Sequence, residues 1–390
     1  MFHISSIEDI VQGKVTDVYF TNVVKALEYL KLNPLVAAEV RAGSLPENWQ
    51  WAVFAGLEES VHLLQGRPLD VYAMPEGTVF GPEDTVFIIE GRYLDFAVLE
   101  TALLGFLCEA SGIATKSARC RIAAEDRLLL SFGARRMHPA IAPMIERNAY
   151  IGGCDGVSVI ASAELIGEKP LGTMSHSLML CVGDEKEAFL AFNAVADAYI
   201  KRVALVDTFR DEKFGALLAT EALGEKLYAV RLDTPSSRRG DFLKIMREVR
   251  WELDLRGYRD VKIFLSGGLD EHDIQRYNRY ADAYGVGTSI SNAPVVDYSL
   301  DIVEVEGRAR AKRGKMSGKK QVFRCSHCLK TYLAPWESDQ PLCACGGVTK
   351  PLLVKYLEKG KPSRELPTPQ KIREYVLEEL KGRSIMPPGQ

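Results

Sequence analysis

The sequence has little excess charge and few long apolar stretches. Its 49 lysine and arginine residues nearly balance 52 aspartate and glutamate residues, for a net charge of −3. Proteins that bind nucleic acid through a broad surface are basic, so that class is not indicated. No apolar run approaches the roughly 18 residues that span a bilayer, and the first ten residues lack the basic segment of a secretory signal. These absences predict a cytoplasmic protein without a membrane partner.

Cysteine is scarce outside one segment. Four of the eight cysteines are scattered and do not form a disulfide framework, which predicts a reducing compartment: Cys108, Cys120, Cys154 and Cys181. The others form two close thiol pairs, with 14 residues between the pairs: Cys325, Cys328, Cys343 and Cys345. Two such pairs predict one structural Zn²⁺ with no open position for catalysis. An unmetallated loop, or a nucleic-acid-binding zinc ribbon next to the basic residues 308–320, is the alternative.

The length and apolar content predict more than one domain. With 390 residues and 47 % apolar content, the chain is long enough for two or three domains. Residues 1–115 mix helices, including one predicted over 49–64, with short strands. Alternating strands and helices dominate 116–300, and 301–390 form a C-terminal region with the cysteine knuckle at 325–345. Segments of this C-terminal region are expected to complete the first domain. The predicted fold class is therefore α/β with a small metal-binding appendage.

Four segments between residues 200 and 290 repeat one pattern, an apolar run that stops at a small or acidic residue. They are 203–208 (VALVDT), 227–234 (LYAVRLDT), 261–269 (VKIFLSGGL) and 283–288 (AYGVGT). Short apolar strands that alternate with helices imply parallel pairing. Ligands of parallel sheets bind at the carboxyl ends of the strands. The four strand ends therefore predict a binding rim for a sugar phosphate.

The residue types on this rim suit a phosphoribosyl group. Glycine turns at Gly267, Gly268 and 285–288 leave backbone N–H groups open to phosphate. Asp207 and Asp233 could bind ribose hydroxyls or Mg²⁺, with helix capping as the alternative role. Segment 132–136 (FGARR) and Arg231 offer a stacking ring and guanidinium groups for an aromatic carboxylate, although a buried ion pair is the alternative for each arginine.

The ordered set of motifs resembles the nicotinate phosphoribosyltransferases of the archaeal and bacterial kind with a C-terminal zinc knuckle. The resemblance covers essentially the whole chain. It rests on 17–20 (DVYF), 132–135 (FGAR), 172–176 (GTMSH), 206–208 (VDT), 231–234 (RLDT), 266–268 (SGG) and 285–288 (GVGT). It implies an N-terminal α/β sandwich joined to an irregular α/β barrel, in a homo-oligomer whose active site is shared between subunits. Such enzymes couple nicotinate to phosphoribosyl pyrophosphate, giving nicotinate mononucleotide and pyrophosphate in NAD salvage.

The resemblance also implies roles for individual residues. His176 would be phosphorylated by ATP to drive the synthesis, with Asp207 and Asp233 as further catalytic residues and Mg²⁺ bound with phosphoribosyl pyrophosphate and ATP. The implied nicotinate-binding residues, the first from a neighbouring subunit, are Tyr19, Phe132, Arg135, Thr173 and Arg231. The implied phosphoribosyl-binding residues are Ser236, Gly267, Gly268, Gly287 and Thr288. Without the resemblance, a lone histidine such as His176 is equally well interpreted as structural.

Other substrates and reactions remain as alternatives. Quinolinate is a dianion, and its site would need more convergent cations than the four candidates Arg135, Arg136, His138 and Arg231. Relatives that use nicotinamide have an aspartate downstream of the aromatic–arginine turn, for which Asp155 is the candidate. The doubled arginine after FGA favours nicotinate. A barrel aldolase or lyase is not expected, because the four strand ends lack lysine.

Overall fold

The computed structural model describes residues 2–385. The chain separates into two compact units. The first unit contains the residues up to Thr115 together with Pro294–Gly382, and the second contains Lys116–Ala293 with Arg383–Ile385. The boundary between Thr115 and Lys116 falls inside one long helix, Glu100–Ala124.

The strands of the described residues fall into three groups along the chain. Before the first boundary they are β1 (Leu35–Ala42), β2 (Ala52–Val53), β3 (Asp70–Ala73), β4 (Val79–Phe80) and β5 (Thr85–Arg92). The second unit has β6 (Leu128–Ser131), β7 (Gly156–Val157), β8 (Arg202–Leu205), β9 (Leu227–Leu232), β10 (Lys262–Ser266) and β11 (Ala283–Val286). The C-terminal segment has β12 (Tyr298–Val305), β13 (Arg308–Ala309), β14 (Lys320–Cys325), β15 (Thr331–Pro335), β16 (Thr349–Pro351), β17 (Val354–Glu358) and β18 (Lys361–Pro362).

The α-helices of the described residues are distributed in the same way. The first unit begins with α1 (Ile7–Val11), α2 (Val18–Tyr29), α3 (Leu57–Leu64) and α4 (Glu100–Ala124). In the second unit follow α5 (Ala142–Ile151), α6 (Ile160–Ile166), α7 (His176–Val182), α8 (Glu185–Val195), α9 (Glu212–Leu223), α10 (Ser236–Arg239), α11 (Phe242–Leu255), α12 (Glu271–Tyr277) and α13 (Thr288–Ser291). The last helix, α14 (Pro369–Glu379), belongs to the first unit.

The first unit is built on a seven-stranded sheet with the order β13-β12-β1-β5-β3-β17-β18, in which every pair is antiparallel. Its core is apolar and includes the fully buried rings of Phe54 and Phe87. The prediction of one helix over 49–64 is wrong. Ala52 and Val53 pair with β4 instead, and Gly56 takes a left-handed φ of +87° that a continuous helix cannot contain. Only α3 forms, after this glycine.

The second unit contains a six-stranded parallel sheet with the order β7-β6-β11-β10-β9-β8. The predicted parallel pairing of the four repeated segments is therefore confirmed, since they become β8 to β11. The sheet is a curled half-barrel, and within the described residues β7 and β8 do not pair with each other. Aspartates cap two of the helices that follow these strands, Asp211 at α9 after β8 and Asp270 at α12 after β10.

One helical stretch differs from the sequence expectation about membranes. Residues 97–124 are long and apolar enough to cross a bilayer, but 56 % of their most apolar window is buried inside the protein. A core helix has the same length and composition, so this stretch gives no more than weak support for a membrane span.

Four of the seven basic side chains in the stretch 308–320 are paired with carboxylates inside the first unit: Lys312, Lys315, Lys319 and Lys320. Lys312 and Lys315 lie 2.7 and 2.8 Å from the buried Asp301 carboxylate. Lys320 is buried and lies 3.0 Å from the fully buried Glu39. Charges that are paired in this way are not available to a polyanion. The observation disfavours the nucleic-acid-binding alternative.

Candidate active site

The carboxyl ends of the parallel strands enclose a cleft of about 460 Å³. Ten residues predicted from the sequence line it: Phe132, Arg135, Thr173, His176, Arg231, Asp233, Gly267, Gly268, Gly287 and Thr288. A larger groove, of about 860 Å³, lies at the amino ends of β8, β9 and β10, and its described lining contains none of these residues. The cleft at the carboxyl ends is the candidate site, because the glycine turns predicted to bind phosphate and the ionisable network both lie there.

Arg231 is the centre of the ionisable network. This residue is near the end of β9, and its Nε donates to Ser266 Oγ at 2.8 Å while its Nη1 donates to Thr173 Oγ1 at 2.6 Å. Its Nη2 lies 3.1 Å from Asp233 Oδ2, and Ser266 Oγ donates to Asp233 Oδ1 at 2.6 Å. The guanidinium is thereby held rigidly by Ser266 at the end of β10, by Asp233 just after β9 and by Thr173 in the loop before α7, with its charge already paired. Arg231 can position a ligand carboxylate, but its positive charge is largely compensated by Asp233.

Two neighbouring carboxylates at this site have opposite pKa shifts. Asp207 Oδ2 accepts a hydrogen bond from the backbone N–H of Asp233 at 3.2 Å. Burial raises the pKa of Asp207 to about 6; the His176 side chain opposes this rise, and the charge of Asp233 adds to it. Burial would also raise the pKa of Asp233, but Arg231 and the Ser266 hydrogen bond outweigh it and hold that pKa below its usual range. Asp233 is therefore the member of the pair that stays ionised to the lower pH.

His176 lies between the loop after β8, which carries Asp207 and Thr208, and the loop after β9, which carries Asp233. Ser175 caps α7, because its side chain accepts from the backbone N–H of Leu178, and His176 is consequently the first residue of the helix. The imidazole Nδ1 lies 3.1 Å from Thr208 Oγ1, and Nε2 lies 3.5 Å from Asp233 Oδ2. With its side chain 42 % exposed, His176 faces the cleft in a defined orientation. Such a histidine can bind or exchange protons with an anionic ligand.

An aromatic platform forms the opposite part of the cleft. The Phe132 ring stacks on the buried Phe264 ring with centroids 6.0 Å apart, and the Arg231 guanidinium lies 5.5 Å from its centroid. Gly285 provides the space for this ring, since a Cβ there would lie 2.4 Å from Phe132 atoms. Gly285 thus supports the ring rather than a phosphate. A flat ligand ring could stack against Phe132.

The Gly267–Gly268 turn requires glycine for a different reason. Both residues have left-handed backbone conformations, with φ of +88° and +67°. A Cβ on Gly267 would also lie 3.1 Å from the carboxylate of Asp233 and 3.0 Å from Nη2 of Arg239. A turn with two consecutive positive φ values exposes successive backbone N–H groups, which is the geometry of anion-binding turns.

Several residues named from the sequence do not line the cleft, although Asp207 adjoins it through its contact with Asp233. Among the described lining residues of the cleft, Asp207, Ser236, Tyr19 and His138 are absent. Ser236 is the exposed first residue of α10, and Tyr19 belongs to the first unit, where its exposed ring packs on Phe20. Asp155 accepts from the Leu129 N–H at 2.8 Å and pairs with Arg121, so it has a structural environment. No lysine lines the cleft within the described residues, which agrees with the expectation against an aldolase.

Three residues at the site were not predicted to be functional, because the sequence marks them only weakly: Ser158, Thr208 and Arg239. Ser158 lines the cleft and is held by the fully buried carboxylate of Glu146, which accepts from its N–H and hydroxyl. Thr208 was noted only as part of a motif, and its contact with His176 joins positions 32 residues apart. Arg239 contacts the glycine turn from a helix that carries no recognisable motif. Such contacts between distant residues cannot be read from local spacing.

Four cysteines of the first unit, Cys325, Cys328, Cys343 and Cys345, form a compact cluster beside β14. All four sulfur atoms lie within 4.8 Å of one another, and the Cys325–Cys345 and Cys328–Cys343 pairs are each 3.4 Å apart. Four thiolates around one zinc ion lie about 3.8 Å apart, from a Zn–S distance of about 2.3 Å. Gly347 leaves room for them, because a Cβ there would lie 2.5 Å from the Cys325 sulfur. The cluster could hold a metal ion.

Comparison with known proteins finds family models and relatives that are named for quinolinate or for nicotinate. Family models described as the N-terminal and C-terminal domains of quinolinate phosphoribosyl transferase match residues 17–111 and 113–301. The crystal structure of nicotinate-nucleotide pyrophosphorylase from Pyrococcus furiosus is 53 % identical, with a TM-score of 0.96, and the match covers 97 % of this chain and 98 % of that one. Human nicotinic acid phosphoribosyltransferase shares the fold at 21 % identity and a TM-score of 0.75, over 94 % of this chain and 93 % of that one.

The match to a curated relative covers a smaller share of both chains. Nicotinate phosphoribosyltransferase pncB2 of Mycobacterium tuberculosis is 35 % identical over 268 residues. The match covers 65 % of this chain and 57 % of the relative. The chain therefore spans little more than half the length of that protein.

Proposed function

The chain belongs to the quinolinate phosphoribosyl transferase family, and from this premise we propose that it transfers the phosphoribosyl group of phosphoribosyl pyrophosphate to quinolinate. The products would be nicotinate mononucleotide, pyrophosphate and carbon dioxide. The observation that carries the proposal is the cleft itself, in which a stacking ring, unpaired arginines and a glycine turn lie at the ends of parallel strands.

One part of the sequence prediction is confirmed and another is wrong. The resemblance to nicotinate phosphoribosyltransferases is confirmed by relatives of that name. The prediction that the chain is itself an ATP-driven nicotinate phosphoribosyltransferase with a phosphohistidine is contradicted. Both matching family models are named for quinolinate, and the 53 % identical structure is a nicotinate-nucleotide pyrophosphorylase. The doubled arginine that favoured nicotinate suits a dicarboxylate equally well, since each guanidinium can take one carboxylate.

The charge balance of the cleft supports a dianionic acceptor. Arg135 and Arg136 are exposed at its edge, and within the described residues neither side chain has an ion-pair partner. Arg231 is paired with Asp233. Two free guanidinium groups therefore remain for two carboxylates, beside a platform at Phe132 for the pyridine ring. The nicotinamide alternative is weakened, because Asp155 is engaged with Leu129 and Arg121.

The proposed reaction changes different bonds in its two substrates, phosphoribosyl pyrophosphate and quinolinate. The bond from ribose C1 to the pyrophosphate oxygen breaks, and the pyridine nitrogen bonds to C1. The carboxylate next to that nitrogen leaves as carbon dioxide, and the ring carbon takes up a proton in its place. Positive charge develops on the ribose, and the ionised Asp233 would stabilise it. The rigid Arg231 would orient the ring for attack.

Mg²⁺ fits one carboxylate next to the cleft, that of Asp207, which accepts from the N–H of the lining residue Asp233. When bound, it would neutralise the leaving pyrophosphate. Asp207 Oδ1 is buried and has no hydrogen-bond partner among the described residues. A free carboxylate oxygen is the ligand type that Mg²⁺ prefers, and the remaining positions are normally filled by phosphate oxygens and water. Asp207 is therefore proposed as the residue that holds the ion.

Three further assignments belong to the proposal. The cysteine cluster would bind a structural Zn²⁺, supported by its four thiols and their spacing. The exposed ring of Tyr19 would complete the active site of a neighbouring subunit in a homo-oligomer. The scattered cysteines outside the cluster are free, as expected for a protein of the cytoplasm.

Product analysis tests the substrate directly. The protein is incubated with phosphoribosyl pyrophosphate, Mg²⁺ and either quinolinate, nicotinate or nicotinamide, with and without ATP. We expect nicotinate mononucleotide and carbon dioxide from quinolinate, at a rate that ATP does not change. Turnover of nicotinate alone, or of nicotinamide alone, would refute the proposal.

A variant pair connects the acceptor to the free arginines. Arg135→Gln removes one of the two unpaired guanidinium groups and should raise the KM for quinolinate about 10- to 100-fold, with a smaller effect on phosphoribosyl pyrophosphate. Arg259→Gln makes the same change at an exposed position outside the cleft and should have no effect. Equal effects of the two variants would show that Arg135 does not bind the acceptor.

A further inference from the structure

Arg239 makes an unusual set of contacts at the end of α10. Its Nε donates to the backbone carbonyl of Thr234 at 2.7 Å. Its Nη2 donates to the carbonyls of Ser266, at 3.3 Å, and Gly267. One guanidinium thus joins the loop after β9 to the turn after β10. Carbonyl acceptors compensate a guanidinium charge only in part, so the group remains a local source of positive potential.

An aromatic face fixes the plane of this guanidinium. The Cζ atom of Arg239 lies 5.0 Å from the centroid of the Phe242 ring. Phe242 is only 2 % exposed, and its ring packs edge-on against Tyr277, with centroids 5.5 Å apart. Because the ring is held by the core, the guanidinium that lies on it is restricted to one orientation.

The contacts with Ser266 and Gly267 determine where the neighbouring N–H groups point. Both peptide bonds that follow these carbonyls are trans. In a trans peptide the C=O and N–H groups point in opposite directions. Since the carbonyls of Ser266 and Gly267 point to Arg239, the N–H groups of Gly267 and Gly268 point away from it. Gly267 and Gly268 line the cleft, whereas Arg239 is absent from the described lining.

We propose that Arg239 is a positioning residue for substrate binding. By holding two consecutive carbonyls, it directs two consecutive N–H groups into the cleft and fixes the turn that takes the phosphomonoester of phosphoribosyl pyrophosphate. The inference rests on the proposed function and adds a residue to it. It also gives a reason for glycine at position 267, where a Cβ would lie 3.0 Å from Arg239 Nη2.

The test compares Arg239 with its exposed neighbour. Arg239→Lys keeps the charge but cannot reach three carbonyls from a planar fork. We expect a KM for phosphoribosyl pyrophosphate about 10- to 100-fold higher, with kcat and the acceptor KM changed by less than about threefold. Arg238→Lys makes the same change one position earlier on α10, at an exposed side chain, and should leave all three constants within about twofold.

A second measurement separates binding from turnover. Phosphoribosyl pyrophosphate should raise the Tm of the wild-type protein and of Arg238→Lys. The rise in the Tm of Arg239→Lys should be much smaller. Arg239→Gln serves the same purpose should the lysine variant not fold. An unchanged KM in Arg239→Lys, an equal rise of both substrate KM values, or failure of both variants to fold would overturn the positioning role. Wild-type protein that neither uses nor binds phosphoribosyl pyrophosphate would instead refute the proposed function.

Discussion

The cleft of the second unit and the cysteine cluster of the first unit differ in how their polar groups are satisfied. In the cleft, Arg231, Asp233 and Ser266 hydrogen-bond to one another, with distances of 2.6 to 3.1 Å. In the cluster, the four sulfur atoms lie mainly against one another. Two further groups donate to them: the Tyr332 hydroxyl to Cys343, at 3.1 Å, and the His327 N–H to Cys325, at 3.4 Å. Thiols are weak hydrogen-bond partners, so the cluster gains little from its own contacts.

The cleft is therefore preorganised, whereas the cluster would depend on a ligand for its stability. The cleft holds its charged groups in place before any substrate binds, as a site for charge stabilisation requires. The cluster, by contrast, brings four potential ligands together, and a bound ion would supply their stabilisation. Loss of one side-chain group should therefore lower the free energy of unfolding most in the cluster. The decrease should be smaller in the cleft, where neighbouring groups or water can compensate.

The largest effect is expected from the cluster. Cys325→Ser removes one thiolate, and we expect loss of the bound ion and a fall in the free energy of unfolding of about 4 kcal/mol or more. Metal analysis and thermal unfolding measure this. Cys181→Ser is the matched control, because Cys181 is exposed and lies outside the cluster. Metal-free wild-type protein, or equal unfolding of the two variants, would show that the cluster does not depend on an ion.

The same contrast explains what the sequence could predict. The cluster is recognisable from spacing, because its ligands come from two short segments. The strand ends were also predictable, since 227–234 and 261–269 are apolar runs with clear stops. The cleft network was not, because Arg231, Thr173 and Ser266 come from separate segments that only the folded sheet brings together. The helix predicted over 49–64 failed because Gly56 interrupts it and 52–53 pair with a strand.

The next largest effect is expected at Asp233. Asp233→Asn removes the charge opposite Arg231, whose side chain is only 15 % exposed. An uncompensated guanidinium should lower the free energy of unfolding by about 3 kcal/mol, and kcat/KM should fall about 10²- to 10³-fold. Glu221→Gln makes the same carboxylate-to-amide change at an exposed pair with Lys186 and should cost little. Comparable losses in both variants would argue against a preorganised cleft.

A smaller effect, visible in its pH dependence, is expected at Asp207. Its pKa rises from 3.8 to about 6 on folding because of burial. Between these values the folded state keeps a proton that the unfolded state has released, so stability falls as pH rises, by about 2 kcal/mol between pH 4 and pH 7. Asp233 has a lowered pKa and acts in the opposite sense, losing stability as pH falls. The two carboxylates can therefore be distinguished by pH.

Urea unfolding of the wild type and Asp207→Asn from about pH 4 to pH 7 measures this contribution. The variant lacks the titrating group, so its advantage over the wild type should grow as pH rises and level off above about pH 6. Because both proteins contain the cysteine cluster, any acid-dependent loss of its ion cancels in the difference. A difference that does not vary with pH would refute the raised pKa of Asp207.

The smallest effect is expected at Thr208, whose hydroxyl lies 3.1 Å from His176 Nδ1. Thr208→Val should lower the free energy of unfolding by about 1 kcal/mol and shift the imidazole nitrogen resonances of His176. Thr220→Val is the control, because its hydroxyl bonds to Leu217 of its own helix and has no contact with His176. The cost is small because His176 is 42 % exposed, so water can replace the lost hydroxyl. Water cannot replace a thiolate in the same way, and a loss at Thr208 as large as that at Cys325 would contradict the distinction between the two sites.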